Sequence, residues 1–234
     1  MEKKYTTLLF DADNTLLDFD TAEEKALSRV LTEIGMNVTE EVVKQYSAIN
    51  LAYWQAFERG EVTKAELRTA RFADLFKRRE FHTDLSLSYI ADTYLSYLGE
   101  GEYLLDGAIE LCERLKDEGY KIYIITNGVA ETQKKRLSKS GLDRFLDGLF
   151  VSETVGSQKP QAAFFEYVFE HIDEKDKEKL LVIGDSYGSD IKGACGVGLD
   201  CVWLNPKGED NALSLPIKKE IRDLRELFGF FELN

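Results

Sequence analysis

Four short stretches carry residue types able to do chemistry on a phosphate: Asp11 and Asp13, Thr126-Asn127-Gly128, Lys159 before Pro160, and Gly184-Asp185-Ser186 through Asp190. Carboxylates are hard oxygen ligands that suit Mg²⁺, and a lysine ammonium suits an anion. Together with one threonine hydroxyl they predict a site for a divalent cation and a phosphate, and the chemistry of such a site is phosphoryl transfer. Side chains alternate in an extended segment, so Asp11 and Asp13 are expected to point the same way and address one substrate. One carboxylate can attack phosphorus to give an aspartyl-phosphate while the other protonates the leaving alkoxide. A metal and Lys159 favour an ionised Asp11, whereas Asp13, with its side chain off the metal, can hold a proton long enough to deliver it. Taken singly, each stretch is an ordinary turn or helix cap. Their order, each after an expected strand, is what carries the inference.

The elements that must position these residues follow from hydrophobic periodicity. Tyr5 to Phe10 reads as a strand ending in the acidic cluster, and Thr21 with Glu24 reads as a capping box opening a helix that Gly35 stops. Thr39 opens a second helix through Tyr46 and Phe57 to Gly60, Thr63 and Glu66 cap a third, and Leu87 to Leu98 forms a fourth ending at Gly99. From Gly101 onward helix and strand alternate. A helix from Ala108 closes at Gly119, and strands are expected at Tyr120 to Thr126, around Leu149 to Ser152, at Leu180 to Gly184 and at Asp200 to Leu204. Between them lie helices at about Val129 to Ser140, after Pro160 to His171, and at Ser189 to Val197. This pattern predicts an α/β protein with a doubly wound, Rossmann-like parallel sheet. Residues 1–19 and 100–234 form that core, and residues 20–99 form an inserted four-helix cap. Ligands of such sheets bind beyond the carboxyl ends of the strands, where the four stretches lie.

Composition narrows the function further. The 234 residues are 44% hydrophobic and 31% charged, with 3 Pro, an ordinary globular composition. A formal net charge of −13 disfavours broad contact with a nucleic-acid polymer but leaves room for a small phosphorylated substrate. No apolar run approaches the roughly 18 residues of a membrane helix, and Met1 to Thr7 lacks a signal-peptide core, so a cytoplasmic protein without a membrane partner is expected. Cys112, Cys195 and Cys201 lack metal-ligand spacing and are expected as reduced core thiols. The two histidines, His82 and His171, cannot build a zinc site, so carboxylates must do the acid and base work.

The segments Phe10-Asp11-Ala12-Asp13-Asn14-Thr15-Leu16, Ile125-Thr126-Asn127-Gly128, Lys159-Pro160 and Gly184-Asp185-Ser186 through Asp190 resemble the four motifs of the haloacid dehalogenase-like hydrolases. The resemblance spans nearly the whole chain. It implies that Asp11 is the nucleophile and Asp13 the general acid and then base, that Thr126 and its neighbour Asn127 hold the phosphate, and that Lys159 neutralises charge. It further implies Mg²⁺ on the Asp11 carboxylate, the Asp13 carbonyl oxygen and Asp185, with Asp190 acting from behind. The dehalogenases of this superfamily resemble the first motif without its second aspartate, so Asp13 favours a phosphatase. Phe10 to Asp20, with Asn14 where many members carry Gly, is most similar to the nucleotide 5′-phosphatase branch acting on noncanonical pyrimidine nucleotides. Gln161-Ala162 replaces the frequent Asp-Pro of relatives, removing a helix cap worth about 1 kcal/mol.

Selectivity is expected to come from the helical insertion. Tyr46, Tyr53, Trp54 and Phe57 offer faces for a base, although their helical spacing equally describes a helix core, and Arg59, Arg68 and Arg71 could meet a second anionic group. No substrate residue is assigned among them. The expected activity is thus a Mg²⁺-dependent phosphomonoesterase for small nucleoside monophosphates. The alternatives are a phosphatase of another small phosphate such as phosphoglycolate or a sugar phosphate, a phosphomutase, and a non-catalytic binding module.

Overall fold

The computed structural model describes residues 4–233; Met1, Glu2 and Lys3, the first residues of the stretch read as lacking a signal-peptide core, lie outside them, as does Asn234. The chain divides into two compact units, Asp20–Gly101 and the flanking stretches Met1–Phe19 with Glu102–Asn234.

The flanking unit is built on strand β1, Thr7–Phe10, all four residues buried. The helical insertion supplies α1 (Phe19–Glu33), α2 (Glu40–Glu58), α3 (Lys64–Arg78) and α4 (Leu87–Leu98), and after it come α5 (Ala108–Asp117), β2 (Lys121–Thr126), α6 (Ala130–Lys139), β3 (Gly148–Val151), α7 (Ser152–Val155), α8 (Ala162–His171), β4 (Leu180–Gly184), α9 (Lys192–Gly196), β5 (Asp200–Leu204), β6 (Lys219–Ile221) and α10 (Glu226–Phe230). The six strands form one sheet in the order β3-β2-β1-β4-β5-β6, every pairing parallel. The strand order reverses at β1, so the first motif stands at the topological switch point, where open α/β sheets bind ligands.

Period-two alternation sorts the sheet's side chains into two layers. Leu8, Phe10, Ile122, Ile124, Leu181 and Ile183 pack with Ala108, Leu111, Cys112 and Leu115 of α5 on one face. Leu9, Tyr123, Ile125, Leu180 and Val182 pack with Phe164, Phe165 and Val168 of α8 on the other. Just beyond β1 the chain makes a small antiparallel collar: Asp18 N–H donates to Tyr103 O at 3.0 Å, Leu105 N–H to Leu16 O at 3.0 Å, and Leu17 bridges Leu104. The collar sets the two ends of the insertion side by side.

In the helical unit, α2 (Glu40–Glu58), α3 (Lys64–Arg78) and α4 (Leu87–Leu98) are capped by Thr39, Thr63 and Ser86, and Thr63 with Glu66 forms the full reciprocal capping box. The first helix differs from expectation. α1 spans Phe19–Glu33, so Thr21 lies inside it, and Phe19 N–H donates to Asn14 Oδ1 at 3.1 Å. A side chain five residues upstream therefore does the capping that the local Thr-x-x-Glu pattern suggested. β6 and α10 lie outside the pattern the sequence predicts, because three strand residues show no alternation and five helical residues barely more than one turn. The helix expected from Ser189 opens instead as a π-helical turn, Tyr187–Ile191, and becomes α-helical at Lys192.

Candidate active site

Three adjacent strands bring the motif residues to one edge. Asp11 N–H donates to Ile183 O at 2.8 Å, extending the β1–β4 ladder one residue past β1 and setting Asp11 beside Gly184. Thr126 ends β2, and Asp185 follows β4 with its carbonyl held by Trp203 Nε1 at 2.9 Å. Asn14 takes φ of 55°, the left-handed conformation that Asn tolerates in the loop following these aspartates.

Lys159 enters from the loop before α8 and its side chain is only 1% exposed. Its ammonium donates to Asp11 Oδ1 at 2.6 Å, Asp190 Oδ1 at 2.6 Å and Ile125 O at 2.7 Å, one acceptor for each of its three hydrogens. The Asn127 side chain fastens the Lys159 backbone in both senses: Nδ2 donates to Lys159 O at 2.9 Å and Oδ1 accepts from Lys159 N–H at 2.9 Å. That side chain is therefore turned to the lysine loop, and any part it takes with phosphate falls to its main chain. Asp190 is fully buried, and its Oδ2 accepts from Ser186 N–H at 3.1 Å. It lies so close over Gly184 that a Cβ there would stand 2.3 Å from Oδ2, which is why the strand must end in glycine.

Burial in this charged nest reshapes the titration of its members. Asp11 is pushed up to about 8 by burial, with Lys159 opposing the rise and Asp190 and Asp13 adding to it. Asp185 is raised well above the carboxylate range by burial and then by Asp11 and Asp190. Burial pulls Lys159 down, but Asp11 and Asp190 more than offset it and leave the ammonium above its ordinary value. Asp11, Asp185 and Asp190 each offer a carboxylate oxygen within 4.8 Å of one another. Three carboxylates against one ammonium leave an excess of negative charge, and the donors are all oxygen, so the cluster fits a hard divalent cation such as Mg²⁺.

Asp13 stands in a different setting. Its Oδ1 pairs with Arg136 Nη1, and its Oδ2 accepts from Gln133 Nε2 at 2.9 Å. Gln133 Nε2 also donates to Thr126 Oγ1 at 3.0 Å. The structure thus joins Asp11, Lys159, Asp185 and Asp190 in one cluster and links Asp13 to Thr126 through a residue that sequence reasoning missed. A signal was present: α6 reads Ala130-Glu-Thr-Gln-Lys-Lys-Arg-Leu-Ser-Lys139, and a helix so poor in apolar residues can cover a sheet only by burying polar ones. Gln133 and Arg136, one turn apart, are both buried.

Among the aromatic residues of the helical unit, Tyr46 is fully buried against Phe72 and Tyr94, and Tyr53 donates to Asp74 at 3.0 Å. Trp54 and Phe57 meet edge to face at 5.8 Å. Arg59 pairs with Glu61 and Arg68 with Asp92 on the surface, whereas Arg71 is buried and donates to Asn50 Oδ1 at 2.8 Å.

Comparison with known proteins gives a consistent picture. YfnB of Bacillus subtilis, named for a HAD hydrolase, is 42% identical over 231 residues, covering 99% of this chain and 97% of its own. Its crystal structure bound to magnesium superposes with a TM-score of 0.91 at 41% identity, covering 98% of this chain and all of that one. The pyrimidine 5′-nucleotidase PynA of Streptococcus pneumoniae is 36% identical, covering 98% of this chain and 96% of its own. For the pyrimidine 5′-nucleotidase YjjG of Escherichia coli the identity is 30%, with 96% of each chain covered. The family profile of haloacid dehalogenase-like hydrolases matches residues 5–198, and the chain belongs to that family of enzymes.

Proposed function

We propose that the protein is a Mg²⁺-dependent phosphomonoesterase acting through an aspartyl-phosphate, with nucleoside 5′-monophosphates as its substrate class. The observation that carries this reading is the buried Lys159 ammonium shared between Asp11 and Asp190 beside Asp185. It is a charge cluster whose unbalanced carboxylates call for a cation and whose edge position opens to a phosphate. In this reading residues 1–19 and 100–234 are the catalytic core and residues 20–99 the cap domain.

Asp11 is the nucleophile. One of its carboxylate oxygens bonds to phosphorus as the bond from phosphorus to the ester oxygen breaks, and Asp13 gives its proton to the departing alkoxide. In the second half Asp13 takes a proton from water, whose oxygen bonds to phosphorus as the acyl-phosphate bond between the Asp11 carboxylate oxygen and phosphorus breaks. Lys159 keeps Asp11 oriented and offsets charge gathering on the phosphoryl oxygens. Thr126 donates its hydroxyl to a phosphoryl oxygen, and Asn127 contributes through its main chain and by holding the Lys159 loop. Asp11, the Asp13 carbonyl and Asp185 would hold Mg²⁺, with Asp190 placing Lys159. When bound, the ion screens the negative charge of Asp11 from that of the incoming phosphate.

The substrate class rests on PynA and YjjG, both named pyrimidine 5′-nucleotidases. The test is phosphate release from nucleotides, sugar phosphates and phosphoglycolate, with and without Mg²⁺, beside Asp11→Asn. Preferential release from pyrimidine monophosphates, abolished in Asp11→Asn, is the expected result. Release from another class keeps the mechanism and discards the substrate, and no release from any overturns the reading.

A further inference from the structure

We infer that Gln133 and Arg136 form a positioning clamp that orients the Asp13 carboxyl and the Thr126 hydroxyl as one unit. The inference rests on the phosphatase reading above.

Every polar hydrogen of the Gln133 amide has an acceptor in this site. The Gln133 amide has two, and they go to Asp13 Oδ2 at 2.9 Å and Thr126 Oγ1 at 3.0 Å. Its carbonyl Oε1 accepts from Arg136 Nη1 at 3.3 Å, which fixes which end of the amide faces the carboxylate. Thr126 Oγ1 accepts a second hydrogen bond, from Gly128 N–H at 3.0 Å. A hydroxyl that accepts twice has filled its lone pairs and can engage a further group only by donating. That is the polarity a phosphoryl oxygen requires. Asp13 in turn is held at both oxygens, by Gln133 on one and Arg136 on the other, so its carboxyl plane cannot rotate.

Two further observations separate this arrangement from ordinary packing. Arg136 is fully buried, yet among the described residues its Nε and Nη2 have no hydrogen-bond partner, and its guanidinium lies 5.7 Å from the Phe19 ring. A buried guanidinium so poorly satisfied is a costly way to hold a helix on a sheet. Gly128 is the second: a Cβ there would come within 2.8 Å of Gln133 Cδ, Cγ and Nε2, so the turn after Thr126 is kept bare where the clamp passes over it. The leaving-group end and the phosphoryl end of the reaction are therefore set by the same amide.

The test compares wild type with Gln133→Leu and Gly128→Ala, the second displacing the Gln133 side chain without removing its amide, both checked for folding by circular dichroism and thermal melting. A nucleoside monophosphate needs its leaving oxygen protonated, whereas p-nitrophenyl phosphate does not. The expected result is a fall of about tenfold in the ratio of kcat/KM for the nucleotide to that for the aryl ester, with a rise of about tenfold in the inhibition constant of orthophosphate. A structural role would slow both esters alike and leave orthophosphate affinity unmoved, and that result overturns the clamp. Should wild type release no phosphate at all, the parent reading falls, and equal orthophosphate binding by calorimetry in wild type and Gly128→Ala would overturn the clamp separately.

Discussion

Replacing Lys159 by methionine removes the ammonium that contacts the two buried carboxylates Asp11 and Asp190 while nearly preserving side-chain volume. The Lys159 side chain is 1% exposed and that of Asp190 is 0%, so water cannot take over the contacts the ammonium made at 2.6 Å to each aspartate. Breaking a buried ion pair on one side costs roughly 3–5 kcal/mol, because the remaining charge is stranded. For a chain of this size each kcal/mol lowers Tm by about 2–4 °C, so Lys159→Met is expected to melt roughly 10 °C below wild type. The penalty has a pH signature. Burial already lifts Asp11 from its ordinary 3.8 to about 8, so the folded form binds more protons than the unfolded one, and stability is lost as pH rises between those values. Without the ammonium the carboxyls rise further. The deficit against wild type is therefore widest near pH 8 and narrows toward pH 5, where protons neutralise the stranded groups. Differential scanning calorimetry in metal-free buffer at both pH values measures it. The double variant Lys159→Met/Asp190→Asn, which also removes one stranded charge, should recover a good part of the loss. A double variant no more stable than the single, or a deficit unchanged from pH 5 to 8, would refute the reasoning.

Mg²⁺ binding near pH 7 is expected to release protons and to tighten as pH rises, because Asp11, lifted to about 8, must ionise to ligate; calorimetry in buffers of different ionisation enthalpy reads the proton count, and a count of zero contradicts the assignment. Gly184→Ala places a methyl 2.3 Å from Asp190 Oδ2, so phosphate release should fall at least tenfold with a lower Tm; wild-type values for both would show that Asp190 need not sit where it does. In the helical unit, Arg71→Met leaves the buried Asn50 Oδ1 without the guanidinium that donates to it at 2.8 Å and takes a cationic neighbour from the buried Glu23, which Asn50 Nδ2 and Ser47 Oγ still hold, with an expected loss of about 2 kcal/mol, seen as faster hydrogen exchange across α2 and α3; unchanged exchange would count against it.

What the sequence made legible follows from how local each signal is. Strands such as Leu180–Gly184 and Asp200–Leu204 lie between glycines and charged turns and are buried on both faces, so their apolar runs are unmistakable. The residues of the acidic and lysine motifs were legible because they sit at strand ends or in the turns between elements. The collective facts were not. That Asn127 serves the Lys159 backbone depends on two loops 32 residues apart meeting edge to edge. That Asn14 caps α1 depends on a left-handed turn which no Thr-x-x-Glu pattern announces. Gln133 and Arg136 look like the solvated face of a polar helix until the carboxylate 120 residues upstream is brought against them. Alternation alone made Asp11 and Asp13 equivalent neighbours. Their partners make them different, one against an ammonium in the charged nest, the other against a guanidinium and an amide.

The collar formed by Leu16 to Asp18 with Tyr103 to Leu105 bears on the protein's history and its engineering. Because both ends of the inserted segment are already joined by main-chain hydrogen bonds, the sheet is insulated from whatever chain lies between them. Loop-closure entropy grows only with the logarithm of length, about 0.6 kcal/mol per doubling, so that segment can lengthen, shorten or be exchanged at small cost to the sheet. A lineage can thus trade one insert for another, and a protein engineer can graft a foreign one at the same seam, while the phosphate end of the molecule is inherited intact.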